Sequence, residues 1–121
     1  MILLDTSVWI DHLRAPEPRI ATLLGDGQVV VHAFVVAELA MGSLARRDIF
    51  LAALQQLPRI STTDESTFLE FVAEHRLAGT GLGMVDAHLL ASVSTVATAR
   101  LWSRDKHLVI HAQRLGLTYS T

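Results

Sequence analysis

The chain has 121 residues, no cysteine and a hydrophobic fraction of 50%. That length and apolar content suffice for one domain with its own core, so we expect a single domain over residues 1–121. The lack of cysteine excludes disulfide scaffolds and thiolate metal sites. Asp5 stands where a signal peptide would have its apolar centre, and no apolar run could span a bilayer. Both features predict a cytoplasmic protein without a membrane segment.

The charge of the chain is divided unevenly among its residues. The formal net charge is −2, and nine of the ten basic residues are arginine, the better bidentate ligand for phosphate. Once four acids treated below are set aside, the remaining charge is positive, so the net charge excludes no nucleic-acid partner. The candidate nucleic-acid contacts are Arg14, Arg46, Arg47, Arg76, Arg100 and Arg104. The acids expected on solvated helix faces are Asp11, Glu17, Glu65, Glu70 and Glu74.

Short apolar runs alternate with longer helical patterns in the first half of the chain. Residues 2–4 predict a strand buried on both faces, followed by a helix to about residue 13 that Thr6 or Ser7 caps. Pro16 and Pro18 precede a second helix, which ends at residues 25–27. A second strand at residues 29–31 leads into helices over about residues 33–44 and 48–57.

The second half of the chain repeats this alternation. A weak strand is expected at residues 59–61, then a helix over residues 64–77, a glycine-rich loop at 79–83 and a helix over 84–98. Residues 101–103 predict another strand, and residue 105 or 106 begins a last helix that Gly116 ends. Residues 117–119 are a candidate edge strand. Strands separated by helices indicate an α/β fold with a mainly parallel central sheet flanked by helices.

Two acids follow predicted strands. Asp5 follows the first strand directly, and Asp105 follows the strand at residues 101–103 by two residues. Because ligands of open parallel sheets gather beyond the carboxyl ends of the strands, both acids are expected at the same edge. An acid at a strand exit is also a common helix cap, and each residue alone fits that role equally well.

Two further acids lie on helices with little polar surface. Between residues 33 and 41, Glu38 is the only residue that is not apolar, so this helix lacks a polar face. A buried carboxylate there would be costly without a cation, and the alternative is a surface glutamate on a helix whose other faces contact partners. Asp86 lies in the first turn of an otherwise apolar helix, where capping is the alternative explanation.

Four carboxylates at one place repel one another unless a cation joins them. Oxygen ligands in a chain without cysteine favour Mg²⁺ or Mn²⁺ over zinc. One or two such ions can activate water and neutralise charge on a phosphodiester during hydrolysis. We therefore predict a divalent-metal site that hydrolyses nucleic acid, formed by Asp5, Glu38, Asp86 and Asp105.

Other patterns in the chain are less specific. The glycine loop at residues 79–83 lacks the lysine and the serine or threonine of a nucleotide P-loop, and it is more typical of a flexible turn. His107 and His111 have the four-residue spacing of zinc ligands, but without a flanking glutamate they are expected at solvated positions. The sequence leaves open the role of His88, two residues after Asp86.

Rival functions explain the acids less completely. An aspartate-nucleophile phosphatase needs a second Asp two residues after the first, where Ser7 stands. A phosphate-accepting signalling module of flavodoxin-like architecture needs a lysine late in the sheet, but the only lysine, Lys106, begins a helix. A non-catalytic interaction module would leave the complete set of four acids unexplained.

The four acids stand in motifs that resemble those of a known family. The motifs resemble the four acidic motifs of PIN-domain nucleases: Leu4-Asp5-Thr6-Ser7, Val36-Ala37-Glu38-Leu39, Val85-Asp86-Ala87-His88 and Ser103-Arg104-Asp105. The resemblance covers nearly the whole chain, and its length and motif order are most similar to VapC toxins of type II toxin–antitoxin systems.

This resemblance implies a Rossmann-like fold and a function. The expected activity is that of a magnesium-dependent endoribonuclease that cuts structured RNA, such as tRNA or ribosomal RNA, and thereby stops translation. The expected state is a homodimer neutralised by a cognate VapB antitoxin, with the apolar helix around Glu38 as a candidate surface for either partner. The resemblance also implies metal binding by the four acids, with the hydroxyls of Thr6 and Ser103 as their supporting partners.

Overall fold

The computed structural model describes residues 1–120, which form three strands and seven helices. The strands are β1 (Ile2–Leu4), β2 (Val29–Val30) and β3 (Arg100–Trp102). The helices are α1 (Thr6–Arg14), α2 (Pro18–Gly25), α3 (Ala33–Met41), α4 (Arg47–Gln55), α5 (Glu65–Glu74), α6 (Met84–Ser94) and α7 (Lys106–Arg114). None of these seven helices has the length and apolar content needed to cross a membrane.

The strands form one parallel sheet with β1 at its centre, in the order β2-β1-β3. Leu3 of β1 pairs with Val30 on one side and with Leu101 on the other. Helices connect the parallel strands, as parallel pairing requires. The predicted α/β fold with a mainly parallel sheet and flanking helices is confirmed.

One further extended segment lies at each edge of the sheet. Val31 bridges in parallel to Arg59, and Leu101 bridges in parallel to Thr118. Within the described residues, single bridges therefore replace the short strands predicted at 59–61 and 117–119. The five extended segments are numbered here in chain order: β1, β2, the segment at residue 59, β3 and the segment at residue 118. Across the sheet they lie in the order 3-2-1-4-5, which is the order of a Rossmann sheet. The flavodoxin-like order, 2-1-3-4-5, does not match this arrangement.

The core lies on both faces of the sheet. Leu3 and Leu4 of β1 are fully buried, as expected for a strand covered by helices on each side. Leu89 and Leu90 on successive positions of α6 are also fully buried, because this helix is packed on more than one face. These contacts fix the ends of β1 and α6, from which two of the four acids emerge.

Several helix boundaries differ from the predicted ones. The cap of α1 is Asp5 rather than Thr6 or Ser7, because Asp5 has extended backbone and its side chain accepts from the amide of Val8. Helix α3 ends at Met41 rather than near residue 44, since the backbone at Gly42 is extended. Helix α6 ends at Ser94, four residues before its predicted end.

Candidate functional site

Asp5 and Asp105 meet at the carboxyl edge of the sheet. Asp5 leaves β1 and Asp105 follows β3, at the point where the strand order reverses and where parallel sheets commonly bind ligands. The hydroxyl of Ser103 joins them, because Oγ donates to Asp5 Oδ2 over 2.5 Å and accepts from the Asp105 amide over 3.0 Å. The prediction that these two acids are neighbours is confirmed.

A second hydroxyl holds Asp5 from the other side. Ser7 Oγ donates to Asp5 Oδ1 and accepts from the backbone amide of Arg104 over 3.1 Å. The amide of Val8 also donates to Asp5 Oδ1, over 3.3 Å. Both oxygens of this buried carboxylate are therefore fixed. Ser7 was predicted only as a possible helix cap, although its place two residues after a strand-exit Asp is the signal for this contact.

Asp105 combines the two roles that the sequence left open. Its Oδ1 accepts from the amide of Leu108 over 2.9 Å and so caps α7. Its side chain is exposed, and no hydrogen bond from the described residues reaches its Oδ2. Capping therefore leaves one carboxylate oxygen without a hydrogen bond from the described residues and available to a ligand.

Glu38 is exposed, so the expectation of a costly buried carboxylate at this position is wrong. The apolar residues of α3 divide between the core, which includes Leu39, and an outer face on which Met41 is 89% exposed. This arrangement matches the alternative of a surface glutamate on a helix with apolar outer positions. Thr6 Oγ1 donates to Glu38 Oε1 over 2.7 Å and links α3 to the residue that follows Asp5.

The pKa of Asp86 is affected by the charges of the other three acids. It lies in the first turn of α6 and is partly buried. Burial is the main reason that the pKa of Asp86 rises from its ordinary value of 3.8 to about 6. Three negative charges add to this rise: Asp105, Asp5 and Glu38. Asp86 therefore lies within electrostatic range of the other three predicted acids.

The guanidinium of Arg104 is held by two acids. Its guanidinium donates to Asp11 over 2.9 Å and to both oxygens of Glu17 over 2.5 and 2.7 Å. The bond to Glu17 raises the pKa of Arg104 and lowers the pKa of Glu17. Asp11 and Glu17 are thus not merely solvated, as predicted, but join the α1–α2 region to the turn after β3.

The histidines have different surroundings from one another. His88 packs face to face with Phe68, with a centroid distance of 3.7 Å, so it belongs to the packing between α5 and α6. His111 is buried and not solvated, whereas His107 is exposed as predicted. His107 lies beside the glycine loop, since a Cβ on Gly81 would stand 3.8 Å from its Nε2.

The fit of a metal follows from the chemistry of the acids. Among residues 1–120, no three acidic or histidine side chains already stand close enough to ligate one ion. Carboxylate oxygens are the preferred ligands of Mg²⁺, which keeps several waters and needs few protein ligands. A bound cation would also relieve the repulsion from the other carboxylates, which adds to the effect of burial on the pKa of Asp86. The chemistry of these carboxylates therefore fits a hard divalent cation held through few direct contacts.

Comparison with known proteins agrees with this geometry. The family model of the PIN domain matches residues 2–113. Ribonuclease VapC32 from two strains of Mycobacterium tuberculosis is 50% identical over 108 residues, which are 89% of this chain and 87% of the relative.

A solved structure gives the same fold. A chain from the structure of FitAB bound to an IR36 DNA fragment matches with a TM-score of 0.60 and covers 93% of this chain and 91% of that chain. Its sequence identity is 19%, so this likeness concerns the fold alone. The family model and the 50% identical relatives show that the chain belongs to the PIN-domain family and is a VapC-type member of it.

Proposed function

We propose that the protein is a divalent-metal-dependent endoribonuclease toxin that cleaves structured RNA, such as tRNA or ribosomal RNA, and so inhibits translation. The observation that carries this proposal is the meeting of Asp5 and Asp105 at the carboxyl edge of the sheet, where the Ser103 hydroxyl contacts both residues. The charges of these two acids and of Glu38 add to the raised pKa of Asp86, of which burial is the main cause. The names of the 50% identical relatives, which are ribonucleases, support the choice of RNA. The strand order 3-2-1-4-5 argues against the flavodoxin-like signalling alternative.

The metal would be held by oxygens of Asp5, Glu38, Asp86 and Asp105. PIN-domain ribonucleases are generally dependent on divalent metals, which supports this assignment. When bound, Mg²⁺ or Mn²⁺ supplies Lewis-acid activation of water and neutralises charge that builds on the phosphodiester.

The remaining residues of the site orient these carboxylates. Ser103 and Ser7 fix the two oxygens of Asp5, and Thr6 holds one oxygen of Glu38. Such hydroxyl contacts keep the carboxylates in place before a cation arrives, which reduces the cost of assembling the site. Thr6 and Ser103 are therefore proposed as positioning residues.

The apolar outer face of α3 supports proposals on protein partners. A shallow hollow of about 230 Å³ is lined by Phe34, Ala37, Glu38, Met41, Met84 and Val85. Met41 is 89% exposed and Met84 is 65% exposed, which is unusual for such large apolar side chains. We propose that this face contacts a second copy of the chain in a homodimer, and that a VapB-like antitoxin neutralises the assembled toxin.

Cleavage of labelled transfer RNA tests the proposed activity. The wild-type chain should produce discrete fragments with Mg²⁺ and none with a chelator. Asp5→Asn should abolish cleavage, while Asp48→Asn, whose side chain is 99% exposed on α4, should leave it unchanged. Fragments that persist in chelator, or equal cleavage by the Asp5 variant, would refute the proposed metal-dependent mechanism.

A further inference from the structure

A cavity of about 420 Å³ lies between α1, α3 and the connection from α3 to α4. Its apolar wall includes Ile10, Leu13 and Leu44, and its only charged lining residues are Arg14 and Glu38. Glu38 also belongs to the four-carboxylate site. The cavity therefore adjoins the place where the proposed reaction occurs, and its volume lies within the range of roughly 300–1,000 Å³ for small-molecule sites.

Arg14 is the arginine that lines this cavity. The guanidinium groups of Arg104 and Arg47 bond to acids or backbone oxygens. In the described part of the chain, Arg14 has neither a hydrogen bond nor an ion pair from its side chain. A cation without a partner, in a cavity that shares a wall with an acidic site, is available to bind an anion.

The geometry points to this cavity as the subsite for the nucleotide that adjoins the scissile phosphodiester, with the base against the apolar wall and Arg14 on its phosphate. This inference rests on the proposed ribonuclease function. When a phosphodiester lies at the four carboxylates, the nucleotide bonded to it can reach the cavity, because Glu38 borders both places. The apolar wall accepts the face of a base, and arginine binds phosphate through two parallel hydrogen bonds.

The charges favour a nucleotide over an apolar peptide as the occupant. An apolar segment would bury the Arg14 guanidinium without offering it an anion, which is costly. A nucleotide supplies both an apolar ring and an anion, and so matches the two kinds of lining residue. The lining contains no aromatic side chain, so contact with the base is expected to confer preference at one position rather than a stacking platform.

Two variants at the cavity test this assignment. Arg14→Gln removes the cation, and Ser43→Trp fills the cavity from an exposed lining position. With transfer RNA as the probe, Arg14→Gln should raise KM about tenfold with little change in kcat, as expected when a charge-assisted hydrogen bond is lost. Ser43→Trp should shift the positions of cleavage, and Arg14→Lys should restore part of the lost affinity.

Controls separate this inference from the proposed function. Arg59→Gln, an exposed arginine at the sheet edge, should leave KM and the cleavage positions unchanged. Thermal melting should show that every variant is folded, and fluorescence anisotropy with a non-cleavable 2′-deoxy-substituted RNA should reproduce the loss of affinity. If the wild type cleaves no RNA, the proposed function fails instead.

Two results would overturn the assignment of the cavity. One is active wild type with unchanged KM and cleavage positions in both cavity variants. The other is a variant that keeps its KM for RNA but no longer binds the cognate antitoxin, because the cavity would then belong to the protein partner.

Discussion

Asp86→Asn should stabilise the metal-free protein. The pKa of Asp86 is raised from 3.8 to about 6, so the folded state holds its proton more tightly than the unfolded state does. As the pH rises through that window, the unfolded chain ionises first, and the free energy of unfolding falls. At about 1.4 kcal/mol for each pKa unit, the full penalty above pH 6 is about 3 kcal/mol. Partial exposure of the side chain to solvent makes this value an upper bound.

The corresponding increase in melting temperature is at most about 12 °C for a chain of this size. Thermal unfolding in a chelator at pH 8 should show Asp86→Asn melting above the wild type, and the two curves should converge near pH 4. Mg²⁺ should stabilise the wild type and have less effect on the variant, because a cation binds the assembled carboxylates and not the unfolded chain. Asp48→Asn is the matched control. A variant no more stable than the wild type at pH 8 would refute the argument that burial and the neighbouring carboxylates disfavour the charged form of Asp86.

Two further variants test a hydroxyl that contacts Asp5 and a buried histidine at the start of α3. Ser103→Ala should lower kcat about 10- to 100-fold in the RNA assay, because Asp5 Oδ2 loses the hydrogen bond that fixes it. Ser103→Thr keeps the hydroxyl and should retain most of the rate. Burial, with a smaller contribution from the charge of His88, lowers the pKa of His32 from 6.5 to about 4, so the wild type should lose about 3 kcal/mol of stability as the pH falls through that range. His32→Asn keeps a capping side chain and should remove that dependence in urea unfolding; an unchanged slope would contradict it.

The sheet and one edge of the site were predictable because they depend on local patterns. Buried apolar runs and the helices between them are visible in the residue order, and they determine a parallel sheet. The rule that ligands gather beyond the carboxyl ends of such strands then brings Asp5 and Asp105 together. The partial burial of Asp86 was also predictable, because an acid in the first turn of an apolar helix has little polar surface around it.

The surroundings of Glu38 were not predictable from its neighbours in sequence. An apolar helix can be buried on all sides or can leave one face exposed. The residue pattern of α3 does not distinguish these two arrangements. The structure leaves Glu38 and Met41 at the surface, whereas Val35 and Leu39 are buried. Apolar composition alone therefore led to the wrong expectation of burial.

Contacts between side chains far apart in sequence were also beyond prediction. Arg104 and Glu17 are 87 residues apart, and no local pattern indicates that they pair. The role of Ser7 was missed for a similar reason, since its second partner is an amide 97 residues away. Such pairs depend on how the turn after β3 packs on α1, which only the folded chain specifies.

Anomalous scattering from crystals grown with Mn²⁺ tests the central claim most directly. The account predicts one or two anomalous peaks among the carboxylates of Asp5, Glu38, Asp86 and Asp105, and their loss in crystals of Asp86→Asn. A fully occupied Mn²⁺ peak elsewhere on the chain, with none among these four carboxylates, would contradict the proposal that they form the metal site.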